Sequence, residues 1–143
     1  MKDYQSLSHT KWECKYHVVF IPKKRKKTIF EGLRRHLGEI FKELAKHREC
    51  EVVEGHLRGD HVHMCLSIPP KYAVSNVVGY MKGKSAIIIA RRYGGRARNF
   101  TGQVFWARGF FVSTVGVEEE IIRKYIREQE LEDERYDQMA LGM

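Results

Sequence analysis

With 143 residues, 43% hydrophobic and 31% charged, the chain can bury one core but is too short for two ordinary domains and too apolar for disorder. The formal net charge of +8 is uneven: residues 118–143 hold nine acidic and four basic side chains, so the preceding body carries +13 and a polyanion is its natural partner. No apolar run is long enough to cross a membrane and the first ten residues lack a signal peptide's apolar core. Cys14, Cys50 and Cys65 are an odd number without a C-x-x-C spacing, so a cytoplasmic protein with reduced thiols is expected.

One domain spanning residues 1–143 is expected, with a core over about 12–116 and an added helix with an acidic tail over about 117–143. Cys14 to Ile21 is rich in β-branched and aromatic residues and predicts a strand that Pro22 stops. The basic run Lys23-Lys24-Arg25-Lys26-Lys27 reads as a loop. Phe30, Leu33, Leu37, Ile40, Phe41 and Leu44 then fall at helical spacing and make one apolar stripe. Cys50 to Leu57 and Val62 to Ile68 predict two strands of a hairpin that turns at Arg58-Gly59-Asp60. After Pro69-Pro70, the spacing of Val74, Val77, Val78, Met81 and Ile88 predicts a second helix to about Arg92. Tyr93 to Gly102 reads as an exposed basic loop, and Val104 to Val115 as a fourth strand with a bulge at Gly109. Glu118, Glu119 and Glu120 suit the positive end of a helix dipole, and Ile121 to Glu132 continues as an added C-terminal helix. The order strand, helix, strand, strand, helix, strand is the ferredoxin-like βαββαβ pattern of the α+β class. Both helices cover one face of an antiparallel sheet there, leaving the other for a ligand or partner.

Alternation along the hairpin's second strand puts Val62, Met64, Leu66 and Ile68 on one face and His61, His63, Cys65 and Ser67 on the other. The apolar set must meet the helices, so both imidazoles belong to the open face, about 6 to 7 Å apart at Cα and able to converge on one ion. Two solvent-facing histidines would give the same pattern. Cys65 lies roughly 13 Å beyond His61 on a straight strand, too far to share a tetrahedral ion, and reads as a bystander. On the added helix, Ile122, Tyr125, Ile126 and Gln129 share one face, with the phenol and the carboxamide one turn apart. Laid on the open sheet face, that helix would bring a nucleophile and a third metal ligand to the histidines. The competing account is a core tyrosine with a satisfied hydroxyl and a glutamine at the edge.

These residues resemble those of the single-tyrosine transposases of the smallest bacterial insertion sequences, the insertion-sequence-two-hundred type of the HUH endonucleases. The matching stretches are Tyr16-His17-Val18-Val19-Phe20, Gly59-Asp60-His61-Val62-His63, Lys82-Gly83-Lys84-Ser85, Trp106 with Gly109 to Gly116, and Tyr125 with Gln129. The resemblance implies a homodimer that recognises hairpins in single-stranded DNA near the ends of its element, in a bacterial, nucleoid-associated setting. It implies Mg²⁺ or Mn²⁺ held by His61, His63 and Gln129, and Tyr125 as the nucleophile that forms a 5′-phosphotyrosine. It further implies active sites shared between subunits. Exchanging a phosphodiester for a phosphotyrosine conserves the bond energy, so no nucleotide cofactor is expected, in keeping with the absence of a P-loop motif.

Lys23, Lys24 and Arg25, the pair Lys82 and Lys84, and Arg91, Arg92, Arg96 and Arg98 are candidate phosphate contacts, or else a solvated basic surface. Tyr93 and Phe100 could stack on unpaired bases or belong to the core. Three other readings stand beside the transposase: a domesticated relative acting on chromosomal palindromic repeats, a noncatalytic ferredoxin-like nucleic-acid-binding module, and a metal-dependent hydrolase that uses water.

Overall fold

The computed structural model describes residues 5–7, 10–93 and 105–141. A short hairpin of β1 (Gln5–Leu7) and β2 (Thr10–Trp12), which the residue pattern does not announce, precedes the main sheet. Then come β3 (Lys15–Phe20), a 3-10 turn (Lys24–Lys26), α1 (Lys27–Lys46), β4 (Glu51–Leu57), β5 (Val62–Ser67), α2 (Val74–Tyr93), β6 (Phe111–Ser113) and α3 (Glu119–Leu141). The four-stranded sheet has the order β4-β5-β3-β6 with every pair antiparallel, which is the ferredoxin-like topology.

One sheet face presents Val18, Phe20, Val62, Met64 and Leu66 to the buried stripes of α1 and α2. Phe30, Leu37, Phe41 and Leu44 come from α1, and Val77, Val78, Met81 and Ile89 from α2, each contributing about 1.5–3 kcal/mol by leaving water. Trp106 closes this core, its ring 4.9 Å from that of Phe20. Its indole N–H donates to Ser85 Oγ at 3.0 Å, which is why a serine is fully buried on α2.

The expected strand from Val104 to Val115 is corrected: it is two short pairings separated by a turn. Lys23 N donates to Phe105 O at 2.8 Å and Ala107 N to Ile21 O at 2.9 Å. The chain then turns at Gly109, whose φ of +80° only glycine adopts freely, and resumes as β6 beside His17 to Val19. The Gly109 irregularity expected of a bulge is therefore a break in pairing. Tyr93 ends α2 instead of opening a loop, while Arg96, Arg98 and Phe100 lie outside the described residues. The added helix runs past Glu132 to Leu141, because nothing in that stretch breaks a helix and pairs such as Arg135–Glu132 support it.

The second sheet face is not left open. Ile122 and Ile126 of α3 pack on Val19, Ile21 and Ala107, with Phe111, Val117 and Tyr125 at the margin. β3 alternates Val18 and Phe20 on one side with Val19 and Ile21 on the other, so both of its faces need cover.

Candidate active site

The tight turn between β4 and β5 closes with Arg58 N donating to His61 O at 3.0 Å and delivers Asp60 and His61 to the start of β5. His61 is 2% exposed, and its Nδ1 meets Asp60 Oδ1 at 2.8 Å. A carboxylate can only accept, so the Nδ1–H is the donor and Nε2 is left to face a ligand. The other oxygen, Asp60 Oδ2, accepts from Arg123 of α3 at 2.7 Å. Burial pushes the Asp60 carboxyl up, but the His61 hydrogen bond and the Arg123 charge more than offset it and leave it below the ordinary range.

His63 lies two residues along the same face and is half-buried. Its Nε2 is 3.3 Å from His17 Nδ1, and its ring centroid lies 5.5 Å from that of His17 and 6.1 Å from that of His56. Three imidazoles thus cross β3, β5 and β4. Burial, followed by repulsion from His17 and His56, holds the His63 pKa below its usual value, which favours the neutral, ligating form. His17 and His56 are additions to the residues singled out from the sequence, although both are legible there. His17 shares a face with Val19, and His56 faces His63 when residues are counted outward from the hairpin turn. The Cys65 thiol is pushed up by burial, which disfavours the thiolate that a metal would require.

Tyr125 and Gln129 do share the inward face of α3, above the sheet face that carries the histidines. The Tyr125 hydroxyl is buried without a hydrogen-bond partner, and burial alone drives its pKa far up. The Tyr125 ring stands 6.0 Å from that of Phe111. Gln129 donates its amide N–H to the carbonyl of Arg108, so its Oε1 keeps both lone pairs. Among the described residues no hydrogen bond joins either histidine to Tyr125 or Gln129; the polar link between strand and helix is Asp60–Arg123. No group of three His, Cys, Asp or Glu side chains is gathered for a metal among the described residues. The donor set suits a divalent ion nonetheless: an imidazole whose Nδ1–H is taken by Asp60 so that Nε2 keeps its lone pair, a second imidazole biased to neutrality, and a carboxamide oxygen.

The basic residues divide. Lys23 is 6% exposed with Nζ 3.9 Å from Asp133, Lys24 meets Glu134 at 2.6 Å, and Lys27 meets Glu130 at 3.9 Å. The acidic side of α3 therefore lies over the basic run, which is a turn leading into α1 and not a free loop. Lys82 donates to Ala107 O at 2.8 Å and to Gly109 O at 2.7 Å, with burial lowering its pKa to about 8. Protein acceptors thus engage Lys23, Lys24 and Lys82, with Lys23 and Lys82 largely buried and Lys24 still exposed at the surface. Arg25, Lys84, Arg91 and Arg92 retain at least partial exposure. Tyr93 stacks on His36 at 5.7 Å.

No described helix is long and apolar enough to cross a membrane. Residues 10–129 match the family described as Transposase IS200 like. The chain is 39% identical over 141 residues to the transposase for insertion sequence element IS200 of Salmonella typhimurium, covering 99% of this chain and 93% of that one. It is 27% identical over 119 residues to the ISDra2 transposase TnpA of Deinococcus radiodurans, covering 82% and 85% of the two chains. A crystal structure of a candidate transposase from Deinococcus radiodurans superposes with a TM-score of 0.71 at 22% identity, over 87% of this chain and 97% of that one. A REP-associated tyrosine transposase bound to a REP hairpin gives 0.53 at 12% identity, over 88% and 68%. Both structural likenesses speak to the fold. With the family match spanning both the histidine strand and the tyrosine helix, the chain belongs to the IS200-like transposases.

Proposed function

We propose that this transposase cleaves and rejoins single-stranded DNA at the ends of an insertion sequence, recognising hairpins near those ends. Tyr125 acts as nucleophile, and His61, His63 and Gln129 hold Mg²⁺ or Mn²⁺. The observation that carries this reading is a buried phenol hydroxyl without a partner, on the helix face that packs on Val19 and Ile21 beside the histidine strand. Buried hydroxyls are nearly always paired, so an orphan on this face is a candidate for a reacting group.

The Tyr125 oxygen attacks phosphorus, the P–O3′ bond breaks, and the 3′-oxygen leaves and takes up a proton. A 5′-phosphotyrosine remains. The 3′-OH of another strand then attacks that phosphorus and returns the phenol, so religation needs no nucleotide cofactor. The cation, when bound, would neutralise charge on the phosphate oxygens and ease departure of the 3′-oxygen. His61, with its ring fixed by Asp60, and His63, kept neutral, supply nitrogen donors, while Gln129 supplies an oxygen.

In the docked position Tyr125 is shut away from any phosphate, so α3 must lift to react. The segment between β6 and α3 contains Gly116, around which there is open space for a hinge. β6 is a sheet edge, and its Val112 is 41% exposed. An apolar edge favours pairing with a second copy. We place the reacting centre in a homodimer, where a released α3 carries Tyr125 to His61 and His63 of the partner subunit. A noncatalytic binding module would instead call for stacking aromatics on the second face of the central strands, where β3 carries Val19 and β5 carries His63.

The test is to incubate the protein with a hairpin-bearing single strand and Mn²⁺, digest it, and locate the covalent nucleotide by mass spectrometry. A 5′-phosphate ester on Tyr125 is expected; cleavage without any adduct, or an adduct on another residue, overturns the reading.

A further inference from the structure

We propose that Asp60 is a positioning residue of the metal centre, one carboxylate oxygen fixing the His61 ring while the other holds Arg123 of the tyrosine helix. The inference rests on the reading of His61 as a metal ligand and extends it to the link that Asp60 makes between that ligand and the tyrosine helix. Asp60 immediately precedes His61 in a turn closed by the Arg58–His61 backbone hydrogen bond. That bond, Arg58 N to His61 O at 3.0 Å, spans only Gly59 and Asp60. The carboxylate is thus delivered by backbone geometry, not by a flexible reach.

Its two contacts differ in kind. The contact to His61 is internal, at 2.8 Å, between side chains 3% and 20% exposed. A buried ring that donates Nδ1–H to a carboxylate cannot turn over, so its Nε2 lone pair keeps one direction and becomes a stronger donor. The contact to Arg123 is at 2.7 Å, but Arg123 is 45% exposed and also binds Glu119 at 2.8 Å. An ion pair of that kind contributes little by itself. Its importance is positional, because Arg123 lies two residues before Tyr125 and makes the polar bridge between α3 and the histidine strand. When α3 lifts, Asp60 loses a cation and its full charge acts on His61. Releasing the nucleophile therefore strengthens the ligand.

The test uses the full chain with Asp60→Ala, Asp60→Asn and Arg123→Ala, after thermal melts confirm that each is folded. In metal-free protein, ¹⁵N-histidine NMR should show His61 as the Nδ1–H tautomer in the wild type and in Asp60→Asn, whose carboxamide oxygen still accepts, but not in Asp60→Ala. Manganese titration read by electron paramagnetic resonance should then show Mn²⁺ affinity roughly 10- to 100-fold lower in Asp60→Ala. Asp60→Asn should fall between the two, and Arg123→Ala should bind as tightly as the wild type or more tightly. Wild-type affinity in Asp60→Ala, or an unchanged His61 tautomer there, overturns the proposal. A wild type that takes up no Mn²⁺ overturns the underlying metal reading instead, and the NMR still decides whether Asp60 fixes His61.

Discussion

Replacing Tyr125 by Phe removes one oxygen atom and keeps the ring beside Phe111. That oxygen is buried and unpaired, so folding strips its hydration and returns nothing. The penalty for a buried, unsatisfied polar group is about 1–3 kcal/mol. The ring as a whole is only partly buried, so a gain near the lower end, about 1 kcal/mol, is expected, or a melting temperature raised by roughly 2–5 °C for a chain of this size. The same variant should form no covalent adduct with a hairpin strand while keeping its affinity for it. Urea unfolding measures the first effect, read as a shifted midpoint at unchanged slope, and a denaturing gel measures the second. A more stable and inert protein is the signature of a nucleophile stored at a cost. Loss of stability in the Phe variant would mean that the hydroxyl is paired in the docked state, and an adduct formed by it would remove Tyr125 as nucleophile.

Lys82→Met should destabilise the fold by about 1–3 kcal/mol, since it strands the carbonyls of Ala107 and Gly109. It should leave the salt dependence of DNA affinity unchanged, whereas a loss of about one unit in that slope would restore a phosphate contact. Because the His63 pKa is held below its ordinary 6.5, the unfolded chain binds more protons in the window between those values. Stability should therefore fall as pH drops below 6.5 and stop falling on this account once pH is under the lowered value. His63→Ala should flatten that slope in metal-free melts, and an unaltered slope would count against the cause assigned here. Mixing Tyr125→Phe with a His61→Ala, His63→Ala double variant should restore single-strand cleavage if sites are shared, because a heterodimer holds one complete centre. No recovery, with heterodimers shown to be present, would assign the site to a single chain.

Local periodicity carries much of this architecture. The two-residue alternation of β5 by itself assigns His61 and His63 to one face, and the spacing of Ile122, Tyr125, Ile126 and Gln129 assigns the phenol and carboxamide to one side of α3. Hairpin counting from Arg58-Gly59-Asp60 likewise pairs His56 with His63. Such patterns work because strand and helix geometry repeat over two and 3.6 residues, so a side chain's direction follows from its neighbours. What covers a face obeys no such rule. Val19 and Ile21 are visible in the sequence as apolar residues on the histidine side, yet only the docking of α3 from the same chain decides what buries them. The partners Asp60 and Arg123 are 63 positions apart, and Lys24 and Glu134 are 110. One charge among many can pair with any opposite charge that the fold brings near, so only the fold decides which cations of the basic run meet the acidic side of α3. Tertiary packing alone decides that the Tyr125 hydroxyl is hidden and unpaired, because burial and pairing are properties of the assembled neighbourhood and not of the residue.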